Sequence, residues 1–176
     1  MSVRVDGAWL QQLNRELEGS DRACAVLAGA VLDDRLMKLI AKFLLPPKNK
    51  KDDRLLGRGR SLESFSSRIE LARRLNLVAE DVSRSLDWIR DIRNEAAHRE
   101  KFGFEENAIR DRVDNIVGAL ELKELGSGLL EEPYSSSKGH FIVSVTMLVA
   151  RIELEADSVK GSIHAPIQND QISIGA

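Results

Sequence analysis

The segment "IRDIRNEAAHRE" (89–100) places an arginine, an amide and an imidazole, Arg93, Asn94 and His98, within a run of helix-forming residues. Two chemistries fit such a set. One is a ribonuclease-like catalytic pair. The other is structural, a buried polar cluster that locks a helical bundle. On a helical wheel of about 100° per residue, Val82, Leu86, Ile89, Arg93 and Ala96 share one stripe. Arg90, Asn94 and His98 fall on the stripe beside it. Asn94 and His98 can touch, whereas Arg93 and His98 lie about 140° apart and meet only if both reach toward a common point.

An arginine in line with core residues needs a carboxylate, because an unpaired buried charge is costly. The segment "LDDRL" supplies one: Asp33 lies among Ala30, Val31, Leu36 and Met37. It is expected to pair with Arg93, Arg68 or both. On this reading the Arg93 guanidinium faces the interior. Asp33, Arg68, Arg93, Asn94 and His98 then form a structural polar cluster, with no catalytic residue among them. His98, at a helix C-terminal end, suits the free carbonyls and the helix dipole there. Histidines occur only at 98, 140 and 164, and metal ligation by them is not expected. Neither a metal nor a cofactor is expected, since no Gly-rich phosphate loop or strand–turn–helix signature occurs.

The elements that must carry these residues read as six helices. The first runs from about Gly7 to Glu18 behind Asp6, with Trp9, Leu13 and Leu17 in phase. Asp21 is expected to cap a longer one through about Phe43, stopped by Pro46 and Pro47. Its apolar positions, including Val26, Ala30, Val31, Leu36 and Ile40, wrap so widely that it belongs at the centre of a bundle. Ser61 is expected to cap a third helix, and Asp81 or Ser83 to start a fourth that ends at His98. A "KFGFEEN" turn leads to a fifth over about Glu105 to Lys123. The Gly- and Ser-rich joint 126–139 precedes a last apolar segment, "HFIVSVTMLVARIELEA", whose length favours helix over strand. The fold class is therefore an all-α bundle, with residues 1–160 as one domain and 161–176 as a polar, flexible tail.

Composition narrows the functions. The chain has 176 residues, 43% hydrophobic and 31% charged, with a net charge of −2. That is a globular balance with no global positive field to draw nucleic acid. The single cysteine, Cys24, sits in "ACAVLAGAVL" and is expected to be buried; it rules out an internal disulfide. "FIVSVTMLVA" is too short to span a bilayer and no signal-peptide pattern opens the chain, so a cytoplasmic protein without membrane contact is expected. That same segment could close the core or form a homodimer seam. The linker 46–60 concentrates Lys48, Lys50, Lys51, Arg54, Arg58 and Arg60, a candidate basic contact patch diluted by Asp52 and Asp53.

Three segments, "SDRACAVLAGAVLDDRLMKLI", "GRSLESFSSRIELARRLNLV" and "LDWIRDIRNEAAH" with "FGFEE" behind it, resemble in this order the mannitol operon repressor family. The resemblance covers about residues 20–155. It implies an all-helical fold without a recognised DNA-reading module, which agrees with the lack of a basic recognition helix here. It further implies transcriptional repression, of a carbohydrate-uptake or related operon, through contact with another regulatory protein rather than direct DNA base readout. Asp33, Arg68, Arg93, Asn94 and His98 match the family's polar residues.

The segment "RNEAAH" also resembles the Arg-x4-His pattern of HEPN domains, many of which are metal-independent ribonucleases and some of which are toxins of toxin–antitoxin pairs. That alternative implies RNA as substrate. His98 would act as general base toward a 2′-hydroxyl, and Arg93, beside Asn94, would stabilise the charged phosphate across a two-subunit cleft.

Overall fold

The structure is a computed structural model and describes residues 7–47, 49, 53–57, 59–126 and 128–159. Among these residues the chain is all-α, with six helices: α1 (Gly7–Leu17), α2 (Asp21–Phe43), α3 (Phe65–Arg74), α4 (Glu80–His98), α5 (Asn107–Ala119) and α6 (Ser137–Ser158). Of the basic linker, Lys48, Lys50, Lys51 and Arg58 lie outside the described residues, as do Asp6 and the tail 161–176.

Helices α2, α4, α5 and α6 form a closed ring of contacts, α2 on α4, α4 on α5, α5 on α6 and α6 on α2. α3 adds to the α2–α4 side and α1 to the α2–α6 side, so α2 touches four other helices. Its sequence explains the position. Cys24, Ala25, Ala28, Leu32, Leu36, Leu39 and Ile40 are all fully buried, a wide band in which the small residues near the N-terminal half let neighbours approach closely. The band stops short of the expected width. Val26 and Ala30 point to solvent on the face that no helix covers.

Four helix starts differ from the sequence expectation: α4 begins at Glu80 rather than Asp81 or Ser83, α5 at Asn107 rather than about Glu105, and the caps of α2 and α3 shift by one and by three residues for local causes. Ser20 rather than Asp21 caps α2, its hydroxyl accepting from the amide of Ala23 at 3.2 Å. Ser64 rather than Ser61 caps α3, accepting from Ser67 at 3.1 Å. Ser136 caps α6. α5 ends at Ala119, before the expected Lys123, because the chain turns through a left-handed Glu121 (φ 52°) and still buries Leu120 and Leu122 beyond the helix. "FIVSVTMLVA" closes the core, with Phe141, Ile142, Val145, Leu148 and Val149 buried. At Gly139 the backbone of Tyr134 lies so near that a Cβ would stand 2.5 Å from its carbonyl oxygen, which only glycine avoids.

Cys24 is fully buried, and burial pushes its thiol up to about 12. Among the described residues no helix is long and apolar enough to cross a membrane.

Candidate functional site at the end of α4

Helix α4 is anchored by Leu86, Ile89, Ile92 and Ala96, all without exposed surface. Beyond it the chain bends through an extended Arg99 into the 99–104 turn. Two consecutive residues at the start of α2 hold that turn. The Arg22 guanidinium donates to the carbonyl oxygens of Ala96, of Arg99 at 2.7 Å and of Glu100 at 2.8 Å. The Asp21 carboxylate accepts from the amide of Phe104 at 3.2 Å. Phe104 itself is buried, its ring 4.8 Å from that of Phe141 and 5.5 Å from that of Phe102. The helix-end carbonyls expected to suit His98 are thus satisfied by Arg22, a cation from another helix.

The five polar residues expected to form one cluster separate into parts. Asp33 pairs with Arg68, Oδ1 to Nη1 at 2.6 Å, and the Arg68 Nε donates to the carbonyl of Leu62 at 2.8 Å. Arg68 is buried, at 7% exposure. Of the two partners allowed for Asp33, the structure supplies Arg68.

The expectation that the Arg93 guanidinium faces the interior is overturned. Arg93 is exposed, and its Nη1 donates to Oδ1 of its neighbour Asn94 at 2.9 Å. The rest of its stripe, Val82, Leu86, Ile89 and Ala96, is buried as the wheel requires. The difference arises on α2, where residue 29 is a glycine. A Cβ there would stand 2.7 Å from Cγ of Arg93 and 3.1 Å from its Cβ. The missing side chain lets the aliphatic stem of Arg93 lie across the α2 backbone while the charged head stays in water.

Among the described residues Arg93 has no carboxylate partner, unlike its neighbours. Arg90 pairs with Asp87 and Asp91, Arg99 with Glu95 and Glu106, and Arg112 with Glu95. Burial pushes the Glu95 carboxyl up, but the hydrogen bonds and charges of Arg112 and Arg99 outweigh it and hold the group below its ordinary value. His98 is exposed one turn beyond Asn94, with no hydrogen-bond partner for its ring among the described residues. The result is an uncompensated cation, an amide and an imidazole on one solvent-facing stretch of helix. Its chemical aptitude is for an anionic group or an acidic partner surface.

Elsewhere, Arg54 and Arg60 of the basic linker are exposed, and Asp53 nearby accepts from the amides of Leu55 and Leu56. Among the described residues no three of His, Cys, Asp and Glu gather so as to hold a metal ion. The residues that sequence reasoning missed are Asp21, Arg22 and Gly29. Arg22 contacts residues more than 70 positions away, which no local pattern signals. Gly29, a costly residue inside a long helix, was a readable sign of close approach.

No family model and no curated protein matches the chain. Among solved structures the fold is similar to the X-ray structure of the MtlR–HPr complex from Escherichia coli, at TM-score 0.59 and 16% identity. That match covers 83% of this chain and 99% of the other. It is also similar to a possible transcriptional regulator, YggD from Shigella flexneri 2a, at TM-score 0.60 and 10% identity, covering 85% and 97%. At such identities the likeness defines an all-helical fold shared over nearly the whole length of each neighbour.

Proposed function

We propose that this chain is a cytoplasmic transcriptional regulator of the mannitol-repressor type that acts by binding another protein, without reading DNA bases. The observation that carries this reading is the shared fold over 99% of a chain whose structure is that of a complex with HPr. The shared architecture makes a small HPr-like protein the first partner to test. The mixed, largely self-paired charge of the α4–α5 surface suits a protein partner better than a polyanion.

The test is a pull-down from the native host, paired with calorimetric titration of purified HPr from that host. Retention of a regulatory protein, and loss of carbohydrate-operon control on deletion, are expected. A chain that retains no protein, and whose deletion leaves that control unchanged, rules the reading out.

A second reading has one specific observation in its favour. Arg93, Asn94 and His98 are solvent-accessible together, and the Arg93 charge is unneutralised among the described residues. In a HEPN-type ribonuclease His98 would take the proton of an RNA 2′-hydroxyl as it attacks the adjacent phosphorus. Arg93 would stabilise the charge on the phosphate oxygens, and the 5′-oxygen would leave. Cleavage by wild type that both His98→Ala and Arg93→Ala abolish establishes this reading. Equal background cleavage by all three removes it.

A further inference from the structure

Helix α6 packs on α2, α5 and α1, and one apolar stripe of it is left uncovered by any helix. Val143, Met147, Ala150 and Leu154 recur at i, i+4, i+7 and i+11, within about 60° of one another on the helical wheel. The first three are half-buried and Leu154 is 47% exposed, while Phe141, Val145, Leu148 and Val149 face the core. Two hollows open along this stripe and adjoin at Met147, one of about 310 Å³ and one of about 390 Å³. Leu129 and Tyr134 wall the first, whose α1 side is closed by the hydrogen bond from the Thr146 hydroxyl to Asn14 Oδ1 at 2.8 Å. Leu120 and Leu125 wall the second. Leu125 is 58% and Leu129 38% exposed, so with Leu154 three of the six exposed large apolar side chains among the described residues stand along one groove.

The wall that carries these leucines is acidic. Glu121 lines the second hollow, and Glu124, Glu131 and Glu132 are exposed in the same segment, against one cation, Lys123. Among the described residues the carboxylates of Glu121, Glu124 and Glu131 take part in no ion pair. Arg151, at the second hollow, is neutralised by Asp81. An apolar trough with an acidic wall selects its occupant by charge. A second copy docked by the same face would bring these carboxylates against their own kind, and like charges across an interface are costly. Cations flanking an apolar stripe meet no such cost.

We propose that this groove receives an amphipathic helix of a partner protein, apolar along one stripe and flanked by Lys or Arg. The inference rests on the partner-binding reading above and adds to it the docking face and the chemistry of the partner. The stripe from Val143 to Leu154 is about 17 Å long, three helical turns. A helix laid along it sets apolar residues at i, i+3 or i+4, and i+7 into the two hollows. Met147, between them, is unbranched and adapts its side chain to either. The flanking cations meet Glu121, Glu124 and Glu131.

The probes are two synthetic peptides of about 16 residues with leucine at i, i+3, i+4 and i+7, one with lysine and one with glutamate at all remaining positions. Titrated into the full chain, the lysine peptide should shift the methyl resonances of Met147, Leu125 and Leu129. It should bind about tenfold tighter than the glutamate peptide, with the difference shrinking at high salt. Reversing the exposed wall, with Glu121→Lys, Glu124→Lys and Glu131→Lys together, should invert the preference; an unchanged circular dichroism spectrum shows that this variant is folded. Equal affinity for the two peptides, binding of neither, an unchanged preference in a folded triple variant, or shifts centred on another face each overturn the proposal. So do shifts of these methyls that grow with protein concentration in the absence of peptide, which place a second copy in the groove. Leu125→Asp, at a solvent-facing position, separates this proposal from the reading it rests on. If the protein retained by wild type in the pull-down is retained equally by Leu125→Asp, the groove proposal falls and partner binding stands. If wild type retains none, partner binding falls by its own test, and the peptide titration decides the groove.

Discussion

Arg68 and Arg93 meet the same helix, α2, one turn apart, and in opposite ways. At residue 33 α2 offers a carboxylate, and Arg68 is drawn in, paired at 2.6 Å and buried. At residue 29 it offers bare backbone, and Arg93 crosses it and leaves its charge in water. The position of an arginine on its own helix does not decide its burial. What the facing helix presents does, because a guanidinium enters a core only where a counter-charge and acceptors await it.

The sharpest way to break this contrast is Asp33→Ala, which strands the Arg68 cation with only the Leu62 carbonyl. A buried pair broken from one side costs about 3–5 kcal/mol, and the 28% exposure of the Asp33 side chain reduces this to about 2–4 kcal/mol. Urea unfolding measures it; a loss under about 1 kcal/mol would put Arg68 in the same class as Arg93.

Next in size is Gly29→Ala. Overpacking against the Arg93 stem costs about 1–3 kcal/mol, against about 1 kcal/mol gained from helix propensity, leaving a net loss of about 1 kcal/mol. In an Arg93→Ala background the same change should become neutral or stabilising. If the two changes were simply additive, the stem of Arg93 would not be what Gly29 accommodates.

A third arginine sharpens the scale between these extremes. Arg151 pairs with Asp81 at about one-third exposure of each. Burial raises the Asp81 carboxyl, but the Arg151 hydrogen bond and charge lower it further, so its folded value lies below the ordinary one. A depressed carboxylate stabilises the fold above its unfolded value, and that contribution is lost as pH falls through the folded value. Asp81→Asn should therefore be less stable than wild type at neutral pH, with the gap closing below about pH 4. A gap independent of pH would assign the effect to packing. The smallest change is Arg93→Ala alone, expected within about 0.5 kcal/mol of wild type in stability, while it abolishes cleavage if the second functional reading holds.

Much of the scaffold was legible because it rests on local periodicity. The six helices, the central place of α2, the burial of Cys24 and the pairing of Asp33 with one of two named arginines come from apolar spacing and from one carboxylate set among apolar residues. The site was legible in residue types but not in placement. The wheel puts Arg93 in line with the core residues of α4, and only Gly29, on another helix, signals that its stem meets bare backbone there. Proximity in sequence points to His98 as the cation that caps α4, whereas Arg22, nearer in space, comes from a distant segment. Contacts between residues far apart in sequence leave no periodic trace.

The grip of Arg22 on the carbonyls of Ala96, Arg99 and Glu100 ties the exposed end of α4 to the opening turn of α2. During synthesis or refolding that end is finished only after the two segments, some 74 positions apart, have closed on each other. A fragment beginning after Arg22 would leave those three oxygens to water. The surface bearing Asn94 and His98 is thus a product of completed assembly, not of the helix that displays it.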